Sequence, residues 1–461
     1  MTNKIQVKIA YIGGGSRAWA RNIMADLALC ETLGGQITLY DIDREAAECN
    51  AVIGGALNAR ENAKTRWAYK TAQTLKDALT GADFVIISIL PGTFNEMRAD
   101  VHLPERLNIF QSVGDTAGPG GIIRALRAVP MYREFALAIG DFCPKAWVIN
   151  YTNPMALCVR ALYRFFPQIK AFGCCHEVFG AQELLAAMLK TEHGQTNAAR
   201  DDIIINVTGL NHFTWFTRAT YKNIDLFPLY KDFTQKYAKN GFICGADALP
   251  DVCFCSSNLV KFDLFNRYGY IAAAGDRHLA EFMPAKLYLN DPETVEKWGF
   301  HLTSTEWRER DMQEKIKKTR AYLAGEPFEL APSGEEGVLL IEALCGQKRV
   351  VSNVNLPNRM LQITDFPPET TVETNALFSY DCICPVCAGA IPKSIAPLSE
   401  PHVKNQTDIL NAAINCDRNL VHAAFLRDPL IKDRADEKDI LLLANDMIAA
   451  TQEYLPEEWV K

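Results

Sequence analysis

Short apolar runs alternate with helix-spaced apolar positions through the first half of the chain, the signature of a doubly wound parallel sheet. Val7 to Ile12 reads as a first strand, followed by a glycine-rich turn and a helix carrying Met24, Leu27 and Ala28 on one face. Ile37 to Tyr40 predicts the next strand, ending in Asp41, and further strands follow at Asp83 to Leu90, Ala146 to Tyr151 and near Lys170 to Cys174. The polar segment Thr191 to Asp202 marks a boundary, which predicts domains over 1–195 and 196–461. Beyond it the regular alternation stops. A strand at Ile203 to Thr208 and a short one at Val350 to Val354 mix with long helical stretches at Leu259 to Tyr268, Ile409 to Leu426 and Ile440 to Tyr454. This predicts an α+β second domain covering the crevice of the first. There is no internal repeat or low-complexity tract.

The 461 residues are long enough for two domains with large cores, and 48% hydrophobic with 22% charged residues is ordinary globular composition. A net charge of -7 argues against a nucleic-acid partner, because phosphate binding needs clustered Lys and Arg. No uncharged apolar stretch is long enough to span a bilayer, and the N-terminus runs into a strand without a signal-peptide core. The 14 cysteines are therefore expected as reduced thiols, and the cytoplasm as the compartment.

Gly13-Gly14-Gly15-Ser16-Arg17-Ala18 fits the G-x-G-x-x-G/A fingerprint between a strand and a helix. Such a turn brings backbone close to a pyrophosphate and aims a helix N-terminus at it. Asp41 at the second strand's end is placed to bind ribose hydroxyls, favouring NAD over its 2′-phosphorylated relative. The first domain is thus expected to be a Rossmann-type, NAD-binding unit.

Two candidate metal ligands follow apolar strands: Cys175, and His212 within Gly209-Leu210-Asn211-His212-Phe213. Two protein ligands leave positions open for substrate oxygens, as a catalytic metal requires. Read from the residues alone, Cys175 is equally a small buried apolar residue and His212 a satisfied core histidine. Asn153, at a strand end before Pro154, can offer its amide to substrate hydroxyls or to the nicotinamide ribose. Cys382, Cys384 and Cys387 have metal-like spacing but no second pair nearby, so structural thiols are expected there. The basic run Lys315 to Lys318 reads as solvated helix surface.

Cys174-Cys175-His176-Glu177-Val178 after a strand, the glycine-rich turn and Thr152-Asn153-Pro154 together resemble the NAD- and manganese-dependent glycosidases of family 4. The resemblance runs along nearly the whole chain. Val113-Gly114-Asp115-Thr116-Ala117-Gly118-Pro119-Gly120-Gly121 and Ala274-Gly275-Asp276-Arg277-His278 are most similar to its α-galacturonidase branch. This family departs from the two-carboxylate scheme of glycoside hydrolysis. The resemblance implies transient oxidation of the sugar at C3 by NAD⁺, loss of the acidified C2 proton, elimination of the aglycone, addition of water, and return of the hydride. It also implies that Cys175 and His212 hold the metal, that Asp276 is the base, and that Asp115 is the general acid. His176, Glu177 and His278 are expected at the sugar. Arg277 and Arg124, and after them Lys393, are candidates for clamping a C6 carboxylate. Relatives of this kind assemble as homodimers or homotetramers, so the second domain is expected to serve oligomerisation as well as substrate and metal.

The same resemblance leaves α-glucuronidase, α-glucosidase and α-galactosidase as alternative activities. Two other classes share the cofactor turn: a lactate- or malate-like 2-hydroxy-acid dehydrogenase, in which a cysteine ligand is idle, and a non-catalytic NAD-binding regulator.

Overall fold

The structure is a computed structural model that describes residues 4–244 and 254–459. Six strands, β1 (Ile5–Ile12), β2 (Leu33–Tyr40), β3 (Trp67–Thr71), β4 (Phe84–Ile87), β5 (Trp147–Asn150) and β6 (Lys170–Gly173), run parallel in the order β6-β5-β4-β1-β2-β3. That is the dinucleotide-binding order, with its switch point between β1 and β4, where crossovers leave in opposite directions. The predicted Rossmann-type sheet is present.

The strands alternate between two cores, as the period of two requires. Ala10, Ile12, Val85 and Ile87 face the helix Gly118–Phe142 through Ile122, Ile123, Leu126 and Val129. Ile9, Tyr11, Phe84 and Ile86 face the helix Trp19–Leu29 through Ile23, Met24 and Leu27. Because β4 is covered on both faces, all four of its residues are apolar and buried.

After β6 the chain forms a second, antiparallel sheet. It consists of β7 (Ile203–Leu210), β8 (Phe213–Tyr221), the short β9 (Ile224–Asp225) and β10 (Ile271–Ala272), in the order β10-β8-β7 with β9 on β8. The predicted strand at Val350 to Val354 is real but does not belong to this second sheet. As β11 (Val350–Pro357) it pairs antiparallel with β6, and β12 (Thr371–Ser379) and β13 (Cys382–Pro385) extend the first sheet to nine strands. The second half of the chain thus returns to the first sheet and delivers side chains beside the end of β6.

The helix expected at Ile409 to Leu426 is two helices, Ala396–Asn415 and Arg418–Arg427. Cys416 between them has φ +53°, which ends the first, and Asp417 caps the second through Asn419 N. The expected helix from Ile440 to Tyr454 starts at Glu437 and ends at Ala450. The 25-residue helix Gly118–Phe142 escapes a periodicity reading because glycines and Pro130 interrupt it. Its first turn is glycine for a packing reason: a Cβ on Gly121 would meet the Thr116 carbonyl carbon at 2.4 Å. Among the described residues no helix is long and apolar enough to cross a membrane.

Candidate active site

The turn after β1 is built as the fingerprint demands. Gly13 has φ +89°, and a Cβ there would lie 1.9 Å from the Ser88 carbonyl oxygen at the exit of β4. Gly13 N and Gly14 N both donate to Tyr40 O at 2.9 Å, tying the turn to β2. Asp41 accepts from Gly15 N (2.8 Å) and Asp43 N (2.9 Å), so it holds the turn while one lone pair on each oxygen remains for another donor. Ser16 lies inside this turn, its N–H bonded to Gly13 O. Ala18, at the helix N-cap, supplies no side-chain bond, which leaves the first N–H groups of Trp19–Leu29 unclaimed at the crevice. Those groups suit a diphosphate.

Across the crevice, Asp115, His212 and His278 bring one ligand atom each within 4.8 Å of one another. His212 occupies the two-residue turn between β7 and β8, with φ +64°, and its Nδ1 lies 3.0 Å from the Thr116 hydroxyl. The His278 ring lies over it, centroids 3.8 Å apart. Asp115 accepts from the Thr116 hydroxyl at 2.7 Å and from the Asn153 amide at 3.2 Å. Burial opposes its ionisation, but the Arg124 guanidinium, with the His278 ring and the Thr116 hydrogen bond, holds its carboxyl well below the usual range. Burial also pushes the His212 imidazole down to about 3, so the ring is neutral. A carboxylate beside the neutral His212 imidazole is a donor pair that suits a divalent cation.

The Cys175–Glu177 run splits by direction. Cys175 is outside the three-residue cluster. Its thiol is pushed well up by burial and by the Glu373 and Glu177 carboxylates, bonds to the Asn211 side chain, and packs beside Met155 and Val159. His176 is half exposed and stacks on Trp19, the first residue of the cofactor helix, at 5.8 Å. Burial lowers its affinity for a proton, yet the Glu335 carboxylate at 3.1 Å and Glu177 carry its pKa up to about 9. Glu177 accepts from Gly275 N at 2.6 Å and lies 3.5 Å from His278 Nε2. A continuous line of contacts therefore links the cofactor helix to the histidine pair.

The Gly275–His278 segment is where sequence and structure part. Its residue facing the site is His278, not Asp276. Asp276 is fully buried, and its two oxygens accept from Val260 N (3.2 Å) and Lys261 N (3.1 Å), so it closes the N-terminus of the helix Leu259–Tyr268. Arg277 turns the opposite way, to Thr303 Oγ1 and to Ser112 O at 3.2 Å, with Phe254 against its guanidinium. Arg124 is buried behind Asp115 and donates to Asn153 O at 3.1 Å. Lys393 is exposed on the turn before the helix Ala396–Asn415.

Sequence reasoning passed over several residues that shape the site. Glu373 on β12 accepts from Asn353 at 2.6 Å and Asn211 at 3.1 Å, and Asn353 also donates to Cys175 O at 3.2 Å. Glu335 precedes the helix Gly337–Leu344. These acids lie far along the chain with no motif around them. Thr116 sat within the Val113 to Gly121 run and was the one such residue within reach of a sequence reading.

Glu281 holds the backbone of the Asp115 loop, accepting from Val113 N (2.7 Å) and Gly114 N (2.8 Å) while fully buried. Burial raises its pKa to about 7. Between the unfolded value of roughly 4.3 and about 7, the folded chain holds a proton that the unfolded chain has lost. This contribution to stability therefore falls as pH rises through that window. Glu281→Gln keeps the acceptor and cannot ionise, so its melting temperature is expected to drop less than wild type between pH 5 and 8. Thermal melts across that range check this, and parallel pH profiles for the two proteins would exclude it.

Residues 8–191 match the family 4 glycosyl hydrolases and residues 207–431 match the family 4 glycosyl hydrolase C-terminal domain. The chain is 54% identical to an alpha-galacturonidase of Lachnoclostridium phytofermentans over 98% of its length and 97% of that protein's. Among solved structures it resembles a Bacillus subtilis protein described as a glucosidase, with 49% identity, TM-score 0.91, and 96% of this chain and 99% of that one covered. A 6-phospho-alpha-glucosidase from gut microorganisms, solved in complex with NAD and Mn²⁺, shares the fold at 20% identity, with TM-score 0.82 over 98% of this chain and 99% of that one. With a dinucleotide turn linked by side-chain contacts to an Asp–His cluster, and with both halves matched, the chain belongs to family 4 of the glycosyl hydrolases.

Proposed function

We propose that this protein is an α-galacturonidase that requires NAD⁺ and a divalent metal ion and cleaves its substrate by transient oxidation at C3, loss of the C2 proton, elimination and addition of water. The observation that carries this is the line of contacts from Trp19, at the head of the helix after the glycine-rich turn, through His176 and Glu177 to the Asp115, His212 and His278 cluster. The α-galacturonidase at 54% identity supports the sugar, and the related structure in complex with NAD and Mn²⁺ supports the two cofactors. Family membership removes the dehydrogenase and regulator readings. Bound in that crevice, NAD⁺ supplies a hydride acceptor that each turnover restores, and the ion supplies Lewis acidity at adjacent sugar oxygens.

The roles of the chain's own groups follow from their surroundings. Gly13, Gly14, Gly15 and Ser16 receive the diphosphate and Asp41 the adenosine ribose. Asp115, expected as the general acid, is held ionised and so would instead join the neutral His212 imidazole in holding the ion. Cys175 would be a further ligand in this reading, its thiol kept protonated by burial and by the Glu373 and Glu177 carboxylates until it gave up that proton to ligate. His278 is the base toward the C2 proton. Its Nε2 faces Glu177, and its Nδ1 is buried with no protein partner, the arrangement of a base oriented by a carboxylate. His176, carried up to about 9 and open to solvent on one side, donates a proton toward the departing oxygen. Asn153 and Glu177 fix hydroxyls, Arg124 stabilises Asp115, and Asp276 positions His278 through the backbone.

Residues 1–195 serve as the cofactor unit in this reading, while 196–461 supply His212, His278 and the strands that flank Cys175. The cytoplasm is the proposed compartment, supported by the absence of any disulfide among the described residues. A homodimer or homotetramer is the proposed assembly, which light scattering on the eluted protein measures.

Hydrolysis of p-nitrophenyl α-galacturonide in D₂O tests the chemistry. With NAD⁺ and Mn²⁺ present, deuterium is expected at C2 of the product without net NADH. His278→Gln should slow C2 exchange by roughly 10²-fold or more. Asp276→Asn should retain most of the exchange but melt earlier, having lost one backbone acceptor of its capping pair. Clean retention of the C2 proton, or loss of exchange in Asp276→Asn with an unchanged melting temperature, would overturn this assignment.

A further inference from the structure

The two arginines expected to clamp a C6 carboxylate are already committed to the protein. Arg124 backs Asp115 and bonds Asn153 O, and Arg277 bonds Ser112 O and Thr303 Oγ1. A third guanidinium meets the same loop from outside the first domain. The helix Thr305–Leu323 lies across the switch-point crevice: Glu309 pairs with Arg98 of the helix after β4 at 2.6 Å, and Met312 touches Arg17 of the turn after β1. Arg308 sits beside these anchors and reaches inward to the loop that bears Asp115. Among the described residues its guanidinium makes one hydrogen bond, a long one from a terminal nitrogen to Val113 O at 3.4 Å. Its Nε is buried with no partner, and no carboxylate pairs with it among the described residues. It lies close enough to Arg124 for the two cations to repel.

A half-buried guanidinium without an anion, at the mouth of a substrate crevice, is an electrostatic debt that an anionic substrate discharges. The planar fork offers two parallel N–H groups, the geometry a carboxylate accepts bidentately. In a galacturonide the carboxylate on C5 projects away from the C2 and C3 hydroxyls that the ion and base engage. We infer that Arg308 binds the C6 carboxylate of the substrate and sets the preference for a uronide over the neutral galactoside. This rests on the proposed α-galacturonidase activity and adds the residue that makes the discrimination. Thr303 N also bonds Ser112 O at 3.0 Å, so the start of this helix and the loop move as one unit, and the cation is held in place before substrate arrives.

The test compares p-nitrophenyl α-galacturonide with p-nitrophenyl α-galactoside in wild type, Arg308→Gln and Arg308→Lys, each with NAD⁺ and Mn²⁺. Arg308→Gln is expected to lower kcat/KM on the uronide by roughly 10- to 100-fold, chiefly through KM, with a far smaller change on the galactoside. Arg308→Lys should recover part of the loss, since charge returns without the fork. Calorimetric titration of galacturonate into the same proteins should show the same ordering without any turnover. Equal losses on the two glycosides, or a uronide preference that survives Arg308→Gln, would overturn the assignment of Arg308 while leaving the activity standing. A wild type that cleaves the galactoside but not the uronide would overturn the substrate reading and this inference with it.

Discussion

Replacing His212 with asparagine is expected to lower turnover of an α-galacturonide by roughly 10³-fold, the several kcal/mol that a Lewis acid contributes. Asparagine is the informative choice because His212 has φ +64°, a conformation asparagine tolerates and alanine does not. The β7–β8 turn should therefore survive while the imidazole nitrogen is lost. Mn²⁺ affinity measured by calorimetry should fall with activity, and NAD⁺ affinity should stay within a few fold of wild type. Cys175→Ser in the same titration separates two readings of that thiol. A tenfold or larger loss of Mn²⁺ affinity is expected if sulfur ligates, whereas a pure packing role lowers the melting temperature alone. Retention of Mn²⁺ binding and turnover in His212→Asn would remove the metal from this cluster.

The second large effect is expected at Gly13. Its φ of +89° and a Cβ position 1.9 Å from the Ser88 carbonyl oxygen mean that alanine cannot be accommodated by rotating a side chain, because the obstacle is backbone. Gly13→Ala must push the turn away from β4, at a cost of at least about 1–2 kcal/mol for the φ alone. NAD⁺ affinity is expected to fall by roughly 10²-fold or more. Gly15→Ala is the milder partner, since its Cβ would meet Asp41 Oδ2 at 2.9 Å and so displace the carboxylate proposed to bind ribose. Gly180→Ala is the control: it lies within the helix Glu177–His193 with nothing within 4 Å of its Cβ, and should stabilise by about 0.5–1 kcal/mol. NAD⁺ titration and thermal melts on the three variants check the ordering. Unchanged NAD⁺ affinity in Gly13→Ala would mean that the diphosphate is not held at this turn.

Both predictions concern residues that were legible without coordinates, for a common reason. Gly13 to Ala18 and Asp41 belong to one local unit, strand–turn–helix–strand, whose chemistry depends on backbone shape over a short span. His212 follows a strand and sits in the turn that closes it. The Asp115 loop and the His278 segment were visible as unusual runs of glycine with polar residues. Local geometry of this kind is encoded by neighbours in the chain.

What the chain order could not convey is which way adjacent side chains face once the segments pack. Asp276, Arg277 and His278 are consecutive, yet one closes a helix end in the interior, one grips Ser112 and Thr303, and one lies against the His212 ring. A helix begins at Asp276, so successive side chains are turned about 100° apart, and only the packing of that helix against the Ser112–Thr116 loop decides which one meets the sugar. The same limit hid Glu373, which reaches Asn211 and Asn353 because β11 and β12 return to the edge of the first sheet. It also hid Arg308, brought to the Asp115 loop by a helix of which only the basic run Lys315 to Lys318 was read, as solvated surface. By itself the sequence determined the cofactor turn, the sheet that carries it, and the pool of residues from which an active site is drawn. The tertiary structure alone decided which members of that pool face one another, because contacts between distant segments depend on strand order and helix orientation, which no local pattern encodes.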